Sequence, residues 1–240
     1  MINCGSLVRF NASPIVDEFN EFSWNFSNVR LDSTNIKYEP SSLVCDSSSK
    51  CYSICDDMLS QLFVSGFTID FWAYITNTSS GGPIYIGTMD GSDPYQILEM
   101  YGASAIYTQH LSRGTISYNY NEWQYWSLNF YNNKLYIFIN GKLELSCDCP
   151  YNSNSSNGIY INAGRTSERC FYGYISDFKI TKNVKHTNID FASPLNKPTG
   201  TISYNFSASC IYRDTTSDVV FMTKNDSNMF SDLNMIILNK

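Results

Sequence analysis

An all-β, two-sheet antiparallel sandwich is the fold class this sequence predicts, and three observations predict it. Wherever the chain is apolar, apolar and polar residues alternate, as in Phe67-Thr68-Ile69-Asp70-Phe71, which places every second side chain on one face of a strand. Such stretches recur about every 8 to 15 residues, separated by clusters of Gly, Pro, Asn, Asp and Ser, the rhythm of a sandwich. Aromatics make up 15% of the 240 residues, 18 of them Tyr, a composition suited to pleated, half-buried surfaces.

The first clear strand is Phe67–Ile75, with Phe67, Ile69, Phe71, Ala73 and Ile75 on its inward face. Weaker strands are predicted at Ile84–Met89, Tyr95–Tyr101, Ser104–His110 and Thr115–Tyr120. Trp123–Tyr131 is stronger, and Asn132-Asn133-Lys134 joins it to a strand beginning at Leu135. That strand ends at Asn140-Gly141, the strongest short hairpin signal because both residues tolerate positive φ, and Lys142-Leu143 opens the returning strand. Gly158–Gly164 and Phe171–Ile180 complete the set, and one short helical turn fits Asp56–Leu62. The connectors are turn chemistry: Ser79-Ser80-Gly81-Gly82-Pro83, Asp90-Gly91-Ser92-Asp93-Pro94 and the Asn/Ser run from Asn152 to Gly158.

The length fits one large all-β domain or two ordinary ones. Pro194–Gly200 reads as a linker, so residues 1–196 form the expected sandwich and 197–240 a C-terminal extension. Thr201–Cys210 and Asp218–Thr223 supply one or two further strands there. That segment is too short for its own core, which makes it a candidate for docking into an assembly or onto the main domain.

Composition excludes several functions. Charged residues are only 16%, against roughly 25% in an average soluble protein. The deficit is filled by 25 Asn and 33 Ser. A net charge of −6 with no Lys/Arg cluster argues against a nucleic-acid partner. Apolar runs such as Ile236-Ile237-Leu238 fall far short of the ~20 residues of a spanning helix, so no membrane insertion is expected. The N-terminus has neither a basic nor an apolar leader region, so no signal peptide is expected. The sequons at Asn11, Asn25, Asn77, Asn154, Asn205 and Asn225 are accordingly expected to be unused. The eight cysteines (4, 45, 51, 55, 147, 149, 170 and 210) include no C-x-x-C pair and no neighbouring histidine. They are expected to be free, partly buried thiols rather than disulfides or metal ligands.

The order of segments resembles laminin-G-like, concanavalin A-like domains. Phe67–Tyr74 is similar to the family's "FTIEFWVY" strand, and Asn121–Leu128 to its "W-x-H-V-A" strand with Tyr125 where His is usual. Leu135–Gly141 resembles the "L-Y-V-N-G" hairpin, and Gly173–Ile180 the closing "G-x-I-D-D-v-R-I". Leu7–Asn11 with Val16–Phe19, and Asn183–Thr187 with Phe191–Pro194, resemble the versions found in phage and virus particle proteins. The resemblance covers residues 5 to 195 and implies a jelly-roll sandwich. Trp72, Trp123 and Trp126 are then expected to pack the core, with Trp72 and Trp126 out of phase with the inward residues and nearer an edge. Asp70 and Asp177 are expected to accept hydrogen bonds from neighbouring strands or loops, with metal ligation the alternative.

Glycoside hydrolases with this fold carry an acid and a nucleophile as E-x-D-x-E on one strand, a pattern missing here. Asp17-Glu18 with Glu21 is the nearest acid cluster, Glu99 stands alone, and a triad would have to recruit His110 or His186. No catalytic residue is expected. The resemblance implies calcium as a candidate ligand, with Asp90 and Asp93 as its best local donors and Asp56-Asp57 second; no other cofactor is implied. Glycan binding would use exposed aromatics beside hydrogen-bonding side chains, for which Tyr95, Tyr101, Tyr107, Tyr118 and Tyr120 are the candidates. Tyr serves protein contact surfaces equally well. The expected function is a non-catalytic fibre, spike or decoration module on a virus or phage particle, made in the host cytoplasm and contacting host glycans, other virion structural proteins or further copies of itself. The alternatives are an extracellular lectin or adhesin and, third, a degenerate glycosidase.

Overall fold

The computed structural model describes residues 4–9, 16–17, 24–26, 29–37, 41–47, 51–54, 56–77, 81–89, 96–102, 104–163, 169–187, 189–191, 211–213 and 220–222. Its contacts divide the chain into two units, Cys4–Leu195, and Met1–Asn3 with Asn196–Lys240. In chain order the elements of the first are β1 (Cys4–Arg9), β2 (Val16–Asp17), β3 (Trp24–Asn25), β4 (Leu31–Asp32), β5 (Ser42–Cys45), β6 (Cys51–Ile54), α1 (Asp56–Ser65), β7 (Phe67–Asn77) and β8 (Gly82–Thr88). Then come β9 (Gln96–Tyr101), β10 (Ala105–Thr108), β11 (Leu111–Thr115), β12 (Trp123–Tyr131), β13 (Lys134–Ile139), β14 (Lys142–Asp148), β15 (Asn157–Ala163) and β16 (Tyr172–Thr181). In the second unit β17 (Ile211–Arg213) pairs antiparallel with β18 (Val220–Met222). β18 falls within the expected strand Asp218–Thr223, β17 follows the expected strand Thr201–Cys210 without overlapping it, and Thr201–Cys210 lies outside the described residues.

The described strands of the first unit make two antiparallel sheets, a jelly-roll sandwich. One runs β14-β13-β12-β7-β16-β1-β2, with β5 and then β4 also joined through β16; the other runs β11-β10-β9-β8-β15-β6-β3. Their facing sides hold the core. Phe67, Ile69, Phe71, Ala73 and Ile75 of β7 all point into it, as the alternation predicts, and meet Ile84, Ile86, Leu98, Met100, Ile159 and Ile161 of the second sheet. Helix α1 closes one end. Its Phe63 ring lies 5.0 Å from Phe67, 5.4 Å from Phe130 and 4.7 Å from Tyr151. The helix runs three residues beyond the expected turn and stops at Gly66, whose φ of 81° suits the glycine that follows a helix end; its N–H donates to the Leu62 carbonyl at 2.7 Å.

The tryptophans divide differently from expectation. Trp126 pairs with Phe71 and points inward, fully buried, so its predicted out-of-phase position is corrected: it alternates with Leu128 and Phe130, which face the core with it. Trp72 is out of phase, pairing with Tyr125 on the outer face beneath the Lys37 ammonium, 3.8 Å from the ring centre. Trp123 pairs with Tyr74 on that same outer face and is half-buried rather than in the core. The strand expected at Thr115–Tyr120 is instead Leu111–Thr115. Gln109 (φ 49°) and His110 (φ 59°) make a two-residue turn with both φ positive, as a type I′ hairpin requires, so the strand returns four residues earlier, at Leu111. Asn140 (51°) and Gly141 (83°) form the predicted turn of the same kind.

On the outer face of the first sheet, β7 and β12 bury polar residues under the segment that follows β16. Thr68 Oγ1 donates to Asn129 Oδ1 at 2.8 Å and also lies 2.9 Å from the Asn183 carbonyl. Asn129 Oδ1 accepts from the backbone N–H groups of Lys185 (3.2 Å) and His186 (3.0 Å), and Asn129 Nδ2 donates to Ser127 Oγ at 3.0 Å. Asp70 accepts from the Lys185 ammonium. Phe191 then stacks on His186 at 3.6 Å and packs against Phe138 at 5.2 Å. This strap fastens the closing Asn183–Thr187 and Phe191 motif across three strands.

Candidate functional site

The described pocket lies on the outer face of the second sheet and is built around a bulge in β9. Gly87 pairs with Gln96, but Ile86 pairs with Leu98, so Ile97 is an extra residue. Strict alternation would put Gln96 and Glu99 on opposite faces. The bulge rephases the strand, and Gln96 Nε2 donates to Glu99 Oε2 at 2.8 Å. Gln96 Oε1 in turn accepts from the His110 backbone N–H at 3.0 Å, and the Gln96 carbonyl accepts from the Gln109 N–H at 2.8 Å. Side-chain and main-chain bonds from one residue thus hold the left-handed Gln109-His110 turn, a conformation that costs roughly 1–2 kcal/mol per residue for L side chains. They place His110 at the pocket.

The opposite wall arrives from 70 residues away. Gly81 donates its N–H to the Cys170 carbonyl at 3.0 Å and approaches so closely that a Cβ would sit 2.4 Å from the Cys170 nitrogen. The Phe171 N–H donates to Asn162 Oδ1 at 3.0 Å. With Cys170 and Phe171 pinned and buried, Arg169 reaches over the sheet. Its Nη1 forms an ion pair with Glu99 Oε1, and its guanidinium carbon lies 5.2 Å from the centre of the Tyr101 ring. Tyr101 and Tyr107, on adjacent strands, meet edge to face at 6.3 Å and 79°. These six residues, Gln96, Glu99, Tyr101, Tyr107, His110 and Arg169, enclose an open pocket of ≈ 290 Å³. Gln96 and Glu99 form its buried floor; Tyr101, 43% exposed, stands at its rim.

The five candidate tyrosines therefore separate. Tyr101 and Tyr107 come together in the pocket. Tyr118 and Tyr120 form a different pair at 5.3 Å. Tyr118 packs on Trp126 at 5.9 Å and its hydroxyl donates to the Gly102 carbonyl at 3.3 Å; burial pushes its ionisation well above the ordinary phenol range. Tyr95, Asp90 and Asp93 lie outside the described residues, and among the described residues no cluster of His, Cys, Asp or Glu could hold a metal ion. Glu99 is not alone as the local sequence suggests. Both its oxygens are engaged, by Arg169 and Gln96. The partners were hidden by the bulge and by chain separation. Cys147 and Cys149 are thiols without a disulfide; burial raises Cys147 to about 11 and Cys149 well above its ordinary value.

Residues 52–187, which carry β7 to β16 and this pocket, match the family profile described as the concanavalin A-like lectin/glucanases superfamily. The chain belongs to that superfamily. No curated protein matches it in sequence. Among solved structures, this concanavalin A-like fold is similar to domain 4 of AbnA, a GH43 extracellular arabinanase from Geobacillus stearothermophilus, in complex with arabinotriose. That likeness has a TM-score of 0.53 and 13% identity and covers 77% of this chain and 95% of that one. It is also similar to the binding domain of botulinum neurotoxin DC in complex with rat synaptotagmin II, with a TM-score of 0.55 and 15% identity over 77% of this chain and 49% of that one. The Trypanosoma rangeli sialidase, in complex with the inhibitor DANA, matches with a TM-score of 0.57 and 11% identity over 75% of this chain and 31% of that one. The chain spans about half the length of the toxin binding domains it matches.

Proposed function

We propose that this chain is a non-catalytic glycan-binding module displayed on a virus or phage particle. One observation carries the binding half of this reading. Two tyrosines, a guanidinium and a histidine converge over a buried Gln96–Glu99 floor on one sheet face. Aromatic C–H contacts and fixed polar groups are what a sugar ring requires. The geometry favours binding over hydrolysis, because an acid catalyst needs a carboxyl free to give up a proton and Glu99 has both oxygens engaged. The same fold holds arabinotriose in the arabinanase domain. The particle half rests on the strap motif and the opening motif, which resemble those of phage and virus modules. In this reading residues 197–240 dock the module onto other structural proteins or onto further copies, and the protein is made in the host cytoplasm.

A glycan array run with and without calcium, using wild type and Tyr101→Ala, tests the binding half. Retention of a glycan by wild type and its loss in the variant supports it; no retention under either condition overturns it. Antibody labelling of intact particles tests the display half, and unlabelled particles overturn that.

A further inference from the structure

We infer that the pocket takes a single uncharged sugar unit, a deepening that rests on the glycan reading above. The cation at the rim is already neutralised from below: Arg169 Nη1 is bound to Glu99 Oε1, and Glu99 Oε2 is bound to Gln96 Nε2 at 2.8 Å. Glu99 is 4% exposed, so its charge cannot be screened by water and depends on Arg169. A ligand carboxylate seeking the guanidinium would have to share it with that buried anion, and like charges at short range in a poorly hydrated site repel strongly. Hydroxyl groups face no such competition. They can accept from the remaining guanidinium N–H groups while the sugar's C–H faces lie against Tyr101 and Tyr107.

Position reinforces the point. The guanidinium carbon lies 5.2 Å from the centre of the Tyr101 ring, so the aromatic face and the Glu99 carboxylate together draw the cation into the pocket wall. The net charge of −6 adds weak long-range repulsion of acidic ligands. A pocket of ≈ 290 Å³ sits near the lower end of the about 300–1,000 Å³ range of small-molecule sites. It suits one ring of a longer glycan, with the remainder leaving through the open side.

The test uses the full chain near pH 8, where an ordinary histidine is neutral. Each glycan retained on the array is compared by calorimetry with its counterpart bearing a carboxylate, such as lactose with sialyllactose or a glucose terminus with a glucuronate one. Wild type is expected to bind the neutral member at least about tenfold more tightly. Its affinity should also be unchanged between about 50 and 500 mM salt, since no net charge is being neutralised. In Glu99→Gln the guanidinium is released from its partner, and the preference should narrow or reverse by about tenfold with salt sensitivity appearing. Should that variant fail to fold, the wild-type pairs and salt series decide alone. Wild-type preference for the acidic members, or affinity that falls steeply with salt, overturns the inference and leaves the glycan reading standing. Absence of binding to every glycan overturns both.

Discussion

Replacing Asn129 with alanine tests whether the strap across the first sheet is held by its buried polar network. Asn129 is fully buried. Its side chain accepts from the His186 N–H at 3.0 Å and the Lys185 N–H at 3.2 Å, and donates to Ser127 Oγ at 3.0 Å. The Lys185 N–H keeps a second acceptor in Thr68 Oγ1 at 3.1 Å, and the Thr68 hydroxyl that donates to Asn129 Oδ1 keeps the Asn183 carbonyl at 2.9 Å, so the change strips one backbone donor fully and Ser127 of one partner. A buried donor left unmade costs about 1–3 kcal/mol and an ordinary lost bond about 1 kcal/mol, which sums to about 2–4 kcal/mol. For a domain of this size, each kcal/mol moves Tm by about 2–4 °C, so the expected drop is about 4–16 °C. Thermal unfolding read by circular dichroism gives the shift. Hydrogen exchange should show the amides of 183–187 opening first. Ser127→Ala takes the acceptor from the buried Asn129 amide and should cost about 1–3 kcal/mol, but it keeps the strap's backbone donors paired and should leave exchange at 183–187 unchanged. A loss below about 1 kcal/mol in Asn129→Ala, or exchange rates in the strap that do not change, would refute the network as its fastening. Glycan affinity should not move, since the pocket stands on the other sheet.

Three further outcomes follow from the same geometry. Gly81→Ala puts a methyl 2.4 Å from the Cys170 nitrogen, so it should lower Tm and also weaken glycan binding by shifting Arg169; retained affinity in a folded variant would show that Cys170 does not position that arginine. Burial holds His186 below its ordinary 6.5, against the opposing pull of Asp70 and with the help of Lys185, so the unfolded chain takes up this proton first. The contribution of His186 to stability is then complete above 6.5 and declines as pH falls through the window beneath it; urea titrations at stepped pH should show a decline that is shallower in His186→Gln. With Cys147 raised to about 11 and Cys149 higher still, iodoacetamide at pH 8 should label neither in the native state within the time that labels both in urea, and rapid native labelling, followed by mass spectrometry, would contradict the burial.

What could be read from residues alone was what local chemistry determines. The inward face of Phe67–Ile75 and the Asn140-Gly141 turn follow from period and positive φ, and both are present. The inward face of Trp126 was legible as well, in its alternation with Leu128 and Phe130 on β12, all three of which lie in the core. Tyr101 and Tyr107 were among the candidates by type, but nothing local separates them from Tyr118, whose hydroxyl and ring are occupied by Gly102 and Trp126. The floor of the pocket was hidden for a different reason. A bulge breaks the alternation between Gln96 and Glu99, and a turn that carries positive φ on Gln109 and His110 has none of the Gly or Asn that announces one. Arg169 joins Glu99 across 70 positions, a separation that no local pattern encodes.

The strap also bears on how the protein is made. Thr68 lies in β7, yet the groups that complete its hydrogen bonds, the Asn183 carbonyl and the Lys185 N–H, are 115 and 117 residues downstream. Until those residues emerge, the hydroxyl of Thr68 and the amide of Asn129 sit on a sheet face that cannot be sealed without burying unmade bonds. Contacts this distant in sequence form late and slowly. That face is therefore completed only once the segment through Phe191 has been made, and a chain ending before it would leave this polar seam open to water.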